Sequence, residues 1–261
     1  MSIPPPAYPT PLGMLKGKTV VVTAAAGTGI GFAVAKRAAE EGAAVLISDF
    51  HERRLADAAS RIAEEVKCAR PATFVCDVTV QDQVDGLRDA AVAALGKVDV
   101  LINNAGLGGE AAVVDMTDEQ WSRVLDVTLT SLFRMTRAFL PHMYASGSGV
   151  MVNNASVLGW RAQKGQAHYA AAKAGVMAFT RCSALEAAEH GVRINAVSPS
   201  LAMHPFLAKV TSEEKLAELV QAEAYGRPAE VWEVANVMLF LASDLSSYMT
   251  GEVVAVSSQR A

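Results

Sequence analysis

From Lys18 to Val256 the chain alternates short apolar runs with helical stretches of ten or more residues, a rhythm that few folds accommodate. The runs are KTVVVT at 18–23, AAVLIS at 43–48, 73–76, 98–102, 150–154, 193–197 and 253–256. They are β-branched and apolar nearly throughout, as strands covered on both faces must be. Helical stretches fall at 32–42, 52–66, 81–95, 118–146, 165–190 and 229–243. Strands separated by helices of that length predict an α/β fold: one doubly wound parallel sheet of about seven strands with helices on both faces. No linker or repeat divides residues 14–261, which read as one domain. Residues 200–225 break the rhythm as a loop-and-helix insertion, where a ligand-covering lobe would sit. Residues 1–13, with five prolines, read as an extended, mobile tail.

Composition removes several function classes. The 261 residues are 51% hydrophobic and 19% charged, which is globular. A net charge of −4 gives no reason to expect nucleic acid or an anionic membrane as partner. Cys68, Cys76 and Cys182 are scattered, with no Cys-x-x-Cys pair. That argues against a disulfide framework and a zinc site, and for a reducing, cytoplasmic setting. The five histidines lack metal-ligand spacing, so no metal is expected. No apolar run approaches membrane-spanning length, and the N-terminus lacks the pattern of a signal peptide.

The segment between first strand and first helix, 24–31, reads AAAGTGIG. Gly27, Gly29 and Gly31 let the backbone approach a pyrophosphate, whose charge a helix N-terminus favours. Asp49 closes the second strand, where a carboxylate accepts hydrogen bonds from the adenosine ribose and repels a 2′-phosphate. NAD is therefore expected over NADP, with Arg53 and Arg54 as the counter-evidence. Asp77-Val78 and Asn103-Asn104-Ala105-Gly106 follow the third and fourth strands, at the carboxyl edge where open parallel sheets bind ligands. Together these are the features of a Rossmann fold.

Ser156, Tyr169 and Lys173 form the catalytic candidate. Tyr169 and Lys173 are four residues apart, on one helix face. A cation there is expected to lower the phenol from its ordinary pKa of ~10, so that it exchanges a proton with an alcohol or ketone. Ser156 is placed to hydrogen-bond the same substrate oxygen. Leu107, Leu158, Trp160, Leu201, Met203, Phe206 and Leu207 suggest an apolar pocket for a bulky hydrophobic secondary alcohol or ketone, with His204 as a hydrogen-bond partner. Arg134 and Arg137 read as a solvated helix face, with contact to an acidic carrier or a coenzyme A phosphate as the alternative.

These pieces, in order, resemble the short-chain dehydrogenase/reductase family in its single-domain form. Asn195-Ala-Val-Ser-Pro199, FLASD at 240–244 and SYMTG at 247–251 extend the resemblance to nearly the whole of 15–256. It implies that Tyr169 is the general acid–base, that Lys173 binds the nicotinamide ribose, and that Ser156 holds the substrate oxygen. It also implies a cofactor shell of Ala25, Gly27, Thr28, Gly29, Ile30, Asp49, Asp77, Val78, Asn104, Ala105, Gly106, Pro199 and Leu201, and assembly as a homotetramer or dimer. The departures are Ala25 for the first glycine, Thr128 for an Asn that helps hold a proton-relaying water, Ser200 after Pro199, His204 for a Thr, and the Ser257-Ser258-Gln259 ending. Thr128 is retained as a catalytic candidate, its hydroxyl expected to hold such a water. TAAAGTGIG, LDVTLT and the Ser-rich ending also resemble actinobacterial members that break down sterol-derived or acyl intermediates. The expected function is hydride transfer between NAD(H) and a secondary alcohol or ketone. An NADPH-dependent 3-oxoacyl thioester reductase and a non-catalytic dinucleotide-binding protein are the alternatives.

Overall fold

The computed structural model describes residues 3–205, 207 and 213–259. Strands β1 (Thr19–Thr23), β2 (Ala44–Asp49), β3 (Ala72–Val75), β4 (Val100–Asn103), β5 (Gly149–Asn154), β6 (Val192–Pro199) and β9 (Val253–Val256) form one sheet. Its order is β3-β2-β1-β4-β5-β6-β9. Every neighbouring pair is parallel. This is the seven-stranded doubly wound sheet expected from the alternation.

Successive strand residues face opposite sides, and the core divides accordingly. Val20, Val22, Ile47 and Ile102 join one cluster, with α1 (Ile30–Glu40), α2 (Glu52–Val66) and α8 (Val231–Ala242). Val21, Leu46, Leu101 and Met151 join the other, against α3 (Gln81–Leu95), α5 (Ser131–Ser146) and α6 (Ala167–Ala188). The buried side of α1 is mostly alanine and valine, small enough for the helix to lie close between sheet and α8.

The expected 118–146 helix is interrupted. α4 (Asp118–Leu125) starts on a reciprocal cap between Thr117 and Gln120. A π-helical turn at Asp126–Thr130 then precedes α5. The inserted residue swings Thr128 inward, where it is 2% exposed.

Within 200–225, β7 (Ala202–Met203) pairs in parallel with β8 (Ala229–Glu230), and α7 (Glu213–Ala222) lies between them in sequence. Among the described residues the N-terminal segment has neither helix nor strand before Thr19, but it is hydrogen-bonded at Ile3, Tyr8, Leu12 and Met14. Ile3 N donates to Tyr225 O (2.9 Å), and Arg227 Nε donates to Ile3 O (2.9 Å). Tyr8 donates to Glu40 and meets the Trp232 ring edge-on at 5.5 Å. The buried Glu41 carboxylate accepts from Leu12 N and Met14 N, both at 2.9 Å, and pairs with Arg37.

Candidate active site

β5 and α6 bring the catalytic candidates together. Ser156, two residues beyond β5, opens a short 3₁₀ turn, and its Oγ accepts from Leu158 N at 3.2 Å. The same hydroxyl hydrogen-bonds the Tyr169 phenol. One helical turn on, the Lys173 ammonium lies 5.5 Å from the centre of the Tyr169 ring and donates to Asn154 O at 2.5 Å. Gly159 lies against Lys173 main chain and the Met177 side chain, and a Cβ there would strike Met177 Cε at 2.5 Å. A side chain there would force Met177 to move and would crowd the Lys173 main chain.

The electrostatics overturn one expectation. Burial pushes the Tyr169 phenol up to about 12, and the Ser156 hydrogen bond only partly offsets it. Burial also draws Lys173 down to about 7. The ammonium was expected to hold the phenol low. Instead, desolvation dominates both groups and disfavours the charged form of each.

The glycine turn lies at the topological switch, where β1 pairs with β2 on one side and β4 on the other. Ala24 sits at φ +52°, in the left-handed region. Ala25 N donates to Ser48 O and Ala26 N to Asp49 Oδ2, both at 3.1 Å. Gly31 is pressed against Ala24 O and Asn104 Nδ2, where no side chain fits. Gly29 is the N-cap of α1 and offers no side-chain cap, so the first amides of the helix are open to a diphosphate, as a dinucleotide requires. Beyond the turn is a cleft of about 870 Å³, bordered by Asp49, Asp77, Val78, Ala105, Gly106 and Leu107. Asp49 is raised by burial and pulled back by Ala26 N and by nearby Arg54. Asp77 Oδ1 accepts from Thr79 N and Oγ1 and so shapes the corner after β3. Phe50 and Trp121 are exposed on the same cleft; the sequence offered no signal for Phe50 and marked Trp121 only as part of an apolar helix face.

The Thr128 hydroxyl was expected to hold a water. It donates to Leu107 O (3.2 Å) and accepts from Leu107 N (3.0 Å), which ties the π-helical turn to the loop after β4. Gly106 passes between Thr128 and Lys173, its Cβ position 3.5 Å from the ammonium and 3.9 Å from Thr128 Oγ1. On the expected substrate side, Leu107, Leu158 and Met203 are partly buried and Trp160 is 51% exposed. Pro199 ends β6, and Leu201 N is held by the buried carboxylate of Glu223 at 3.3 Å. His204 lies over the glycine turn, its ring 3.8–4.0 Å from where a Gly29 Cβ would be, and its Nδ1 accepts from Leu207 N. It therefore borders the cofactor side of the crevice. Phe206 lies outside the described residues. Arg134 and Arg137 are not bare surface charges: Arg134 pairs with Asp126 at 2.7 Å, while Arg137 bonds Gln81 and covers the Phe133 ring.

Residues 24–258 match the model of a family described as enoyl-(acyl carrier protein) reductase. A Mycobacterium tuberculosis protein, (5R,7aS)-5-hydroxy-7a-methyl-1-oxo-2,3,5,6,7,7a-hexahydro-1H-indene-carboxyl-CoA reductase, is 63% identical over 95% of this chain and 94% of its own. A 3-oxoacyl-[acyl-carrier-protein] reductase of Thermotoga maritima is 37% identical over 93% of this chain and 97% of its own. The crystal structure of a short chain dehydrogenase from Mycobacterium smegmatis superposes with a TM-score of 0.87 at 58% identity, covering 98% of each chain. In sequence and in architecture alike, the chain belongs to the short-chain dehydrogenase/reductase family, oxidoreductases of the hydroxyl/carbonyl pair that bind a nicotinamide dinucleotide.

Proposed function

We propose that this protein interconverts a ring hydroxyl and a ketone on a bulky, apolar bicyclic acid carried as a coenzyme A thioester, with NAD(H) as its dinucleotide. The observation that carries the reading is the meeting of Ser156, Tyr169 and Lys173, with Leu158 held to Ser156. The 63% identity to a reductase of a methyl-oxo-indene coenzyme A ester narrows the substrate class. When bound, the nicotinamide supplies or accepts the hydride. Ser156 Oγ donates a hydrogen bond to the substrate oxygen and keeps it within reach of the phenol. In reduction, Tyr169 Oη gives its proton to that oxygen as negative charge develops there; in oxidation the phenolate takes the proton back. A high phenol pKa suits the acid role. The Ser156 hydrogen bond, which draws the phenol down, favours the phenolate needed for the reverse. Pro199 and Leu201 border the nicotinamide, and Thr128 positions the Leu107 loop rather than carrying protons.

NAD is favoured because Asp49 faces the turn as a half-buried carboxylate, which a 2′-phosphate would oppose, whereas Arg53 and Arg54 are solvent-exposed. Titration with NADH and NADPH, followed by turnover of the indene-type thioester against its free acid, tests both parts. Tight NADH and a preference for the thioester are expected. Preference for NADPH together with faster turnover of a straight-chain 3-oxoacyl thioester would replace this reading with that of an acyl reductase. Assembly as a homotetramer or dimer in the cytoplasm is part of the same proposal.

A further inference from the structure

Two chains of hydrogen-bonded side chains approach each other at the carboxyl ends of β4 and β5. The first begins at Val176 O, which accepts from Thr180 Oγ1 at 2.8 Å. Asn153 Nδ2 donates to Thr180 Oγ1 at 2.9 Å, and Asn103 Nδ2 donates to Asn153 Oδ1 at 3.0 Å. The second begins at the carbonyls of Thr23 and Ala24, which both accept from Asn104 Nδ2 at 3.2 Å. Asn154 Nδ2 then donates to Asn104 Oδ1 at 2.9 Å. A carbonyl can only accept, so each starting point fixes the direction of every amide after it. Each chain therefore ends on an amide oxygen, Asn103 Oδ1 and Asn154 Oδ1. Both atoms are buried and meet no donor among the described residues.

Asn103 and Asn154 line the same internal void of about 10 Å³, together with Thr23, Thr128 and Ser131. The three hydroxyls there have already given their protons away, to Ile102 O at 3.3 Å, Leu107 O at 3.2 Å and Val127 O at 2.7 Å. Two acceptors thus border one space about one water wide, lined also by Ala105, Leu132, Met135 and Val176, and none of its polar neighbours has a proton to offer.

We propose that this void binds one water molecule, which donates one proton to Asn103 Oδ1 and the other to Asn154 Oδ1, making Asn154 a positioning residue for the cofactor turn. Asn154 has three attachments. Its main-chain oxygen holds the Lys173 ammonium, its amide nitrogen holds Asn104, and its amide oxygen takes the water. Asn104 in turn clamps Ala24, a non-glycine residue at φ +52° that stays there only if its surroundings insist. The water immobilises a residue that joins the Lys173 ammonium to the dinucleotide turn.

A high-resolution crystal structure of the unaltered protein with NADH is the first test. One water, as well ordered as the atoms around it and within about 2.6–3.2 Å of both oxygens, is expected. A dry void, or amides rotated so that the two side chains bond directly, overturns the site. The second test is Asn154→Leu, which removes the amide while leaving the main-chain oxygen that holds Lys173. NADH affinity is expected to fall about tenfold, the loss of one well-made hydrogen bond behind the clamp. The pH profile of kcat at saturating NADH is expected to stay in place. A merely structural role would lower Tm and leave the Kd well below Tm unchanged, and an unchanged Kd overturns the positioning role. The crystallographic test needs no variant, so it decides even if Asn154→Leu fails to fold.

Discussion

Tyr169 and Lys173 are each drawn toward their neutral forms by the same burial, and this sets the pH behaviour of the site. Lys173 has a folded pKa of about 7, below its ordinary 10.5. Between those values the unfolded chain holds a proton that the folded chain does not, so stability contributed at this position rises with pH. The Tm of the native protein minus that of Lys173→Met is therefore expected to increase from pH 7 to pH 9, measured by calorimetry. A flat or falling difference would mean that Lys173 stays charged throughout. Tyr169→Phe is expected to cut turnover by ~10²–10⁴-fold while leaving NADH affinity within about twofold, since only the proton donor is removed. That Ser156, Tyr169 and Lys173 would meet was legible from helical spacing and the family resemblance, and Tyr169→Phe tests the roles proposed for them. The direction of the phenol's shift was not legible, because it depends on how much protein surrounds the ring, which spacing does not encode.

The break between α4 and α5 is the element on which sequence and structure differ most. LDVTLT has ordinary helical character, so 118–146 reads as one helix; nothing local calls for an extra residue. The π-helical turn is fixed by a distant partner, the Leu107 main chain, which uses both hydrogen-bonding capacities of the Thr128 hydroxyl. Thr128→Val strands those two groups and is expected to destabilise the fold by about 1–3 kcal/mol. It is also expected to raise the substrate KM severalfold with a smaller effect on kcat, because the Leu107 loop lies beside the catalytic group. Thr128→Ser keeps the hydroxyl and is expected to restore near-native values in both denaturation and steady-state kinetics. The same reasoning explains His204. Its sequence position pointed to the substrate, but the fold of the 200–225 insertion lays its ring over Gly29, and local rules do not determine how a loop returns.

At the scale of the whole molecule the alternating pattern sufficed for the architecture, because helices between strands leave a chain of this size few ways other than a parallel sheet to bury continuous β-branched runs. The pattern says less about what lies outside the sheet. Trp121, Phe133 and Leu185 are 40%, 42% and 74% exposed on α4, α5 and α6. Light scattering is expected to return the mass of a dimer or tetramer, and Leu185→Glu to shift the population toward smaller species; a monomeric native protein would refute the assembly. Residues near both ends of the chain converge on the base of the 200–225 insertion. Ile3 pairs with Tyr225 and Arg227, Ser258 pairs with Ala224 and Glu223, and Gln259 bridges to Glu223. Since Glu223 also holds Leu201 N, a substitution at Ile3 or Ser258 would pull on the segment proposed to border the nicotinamide, and its cost would appear in substrate and cofactor constants before it appeared in a melting curve.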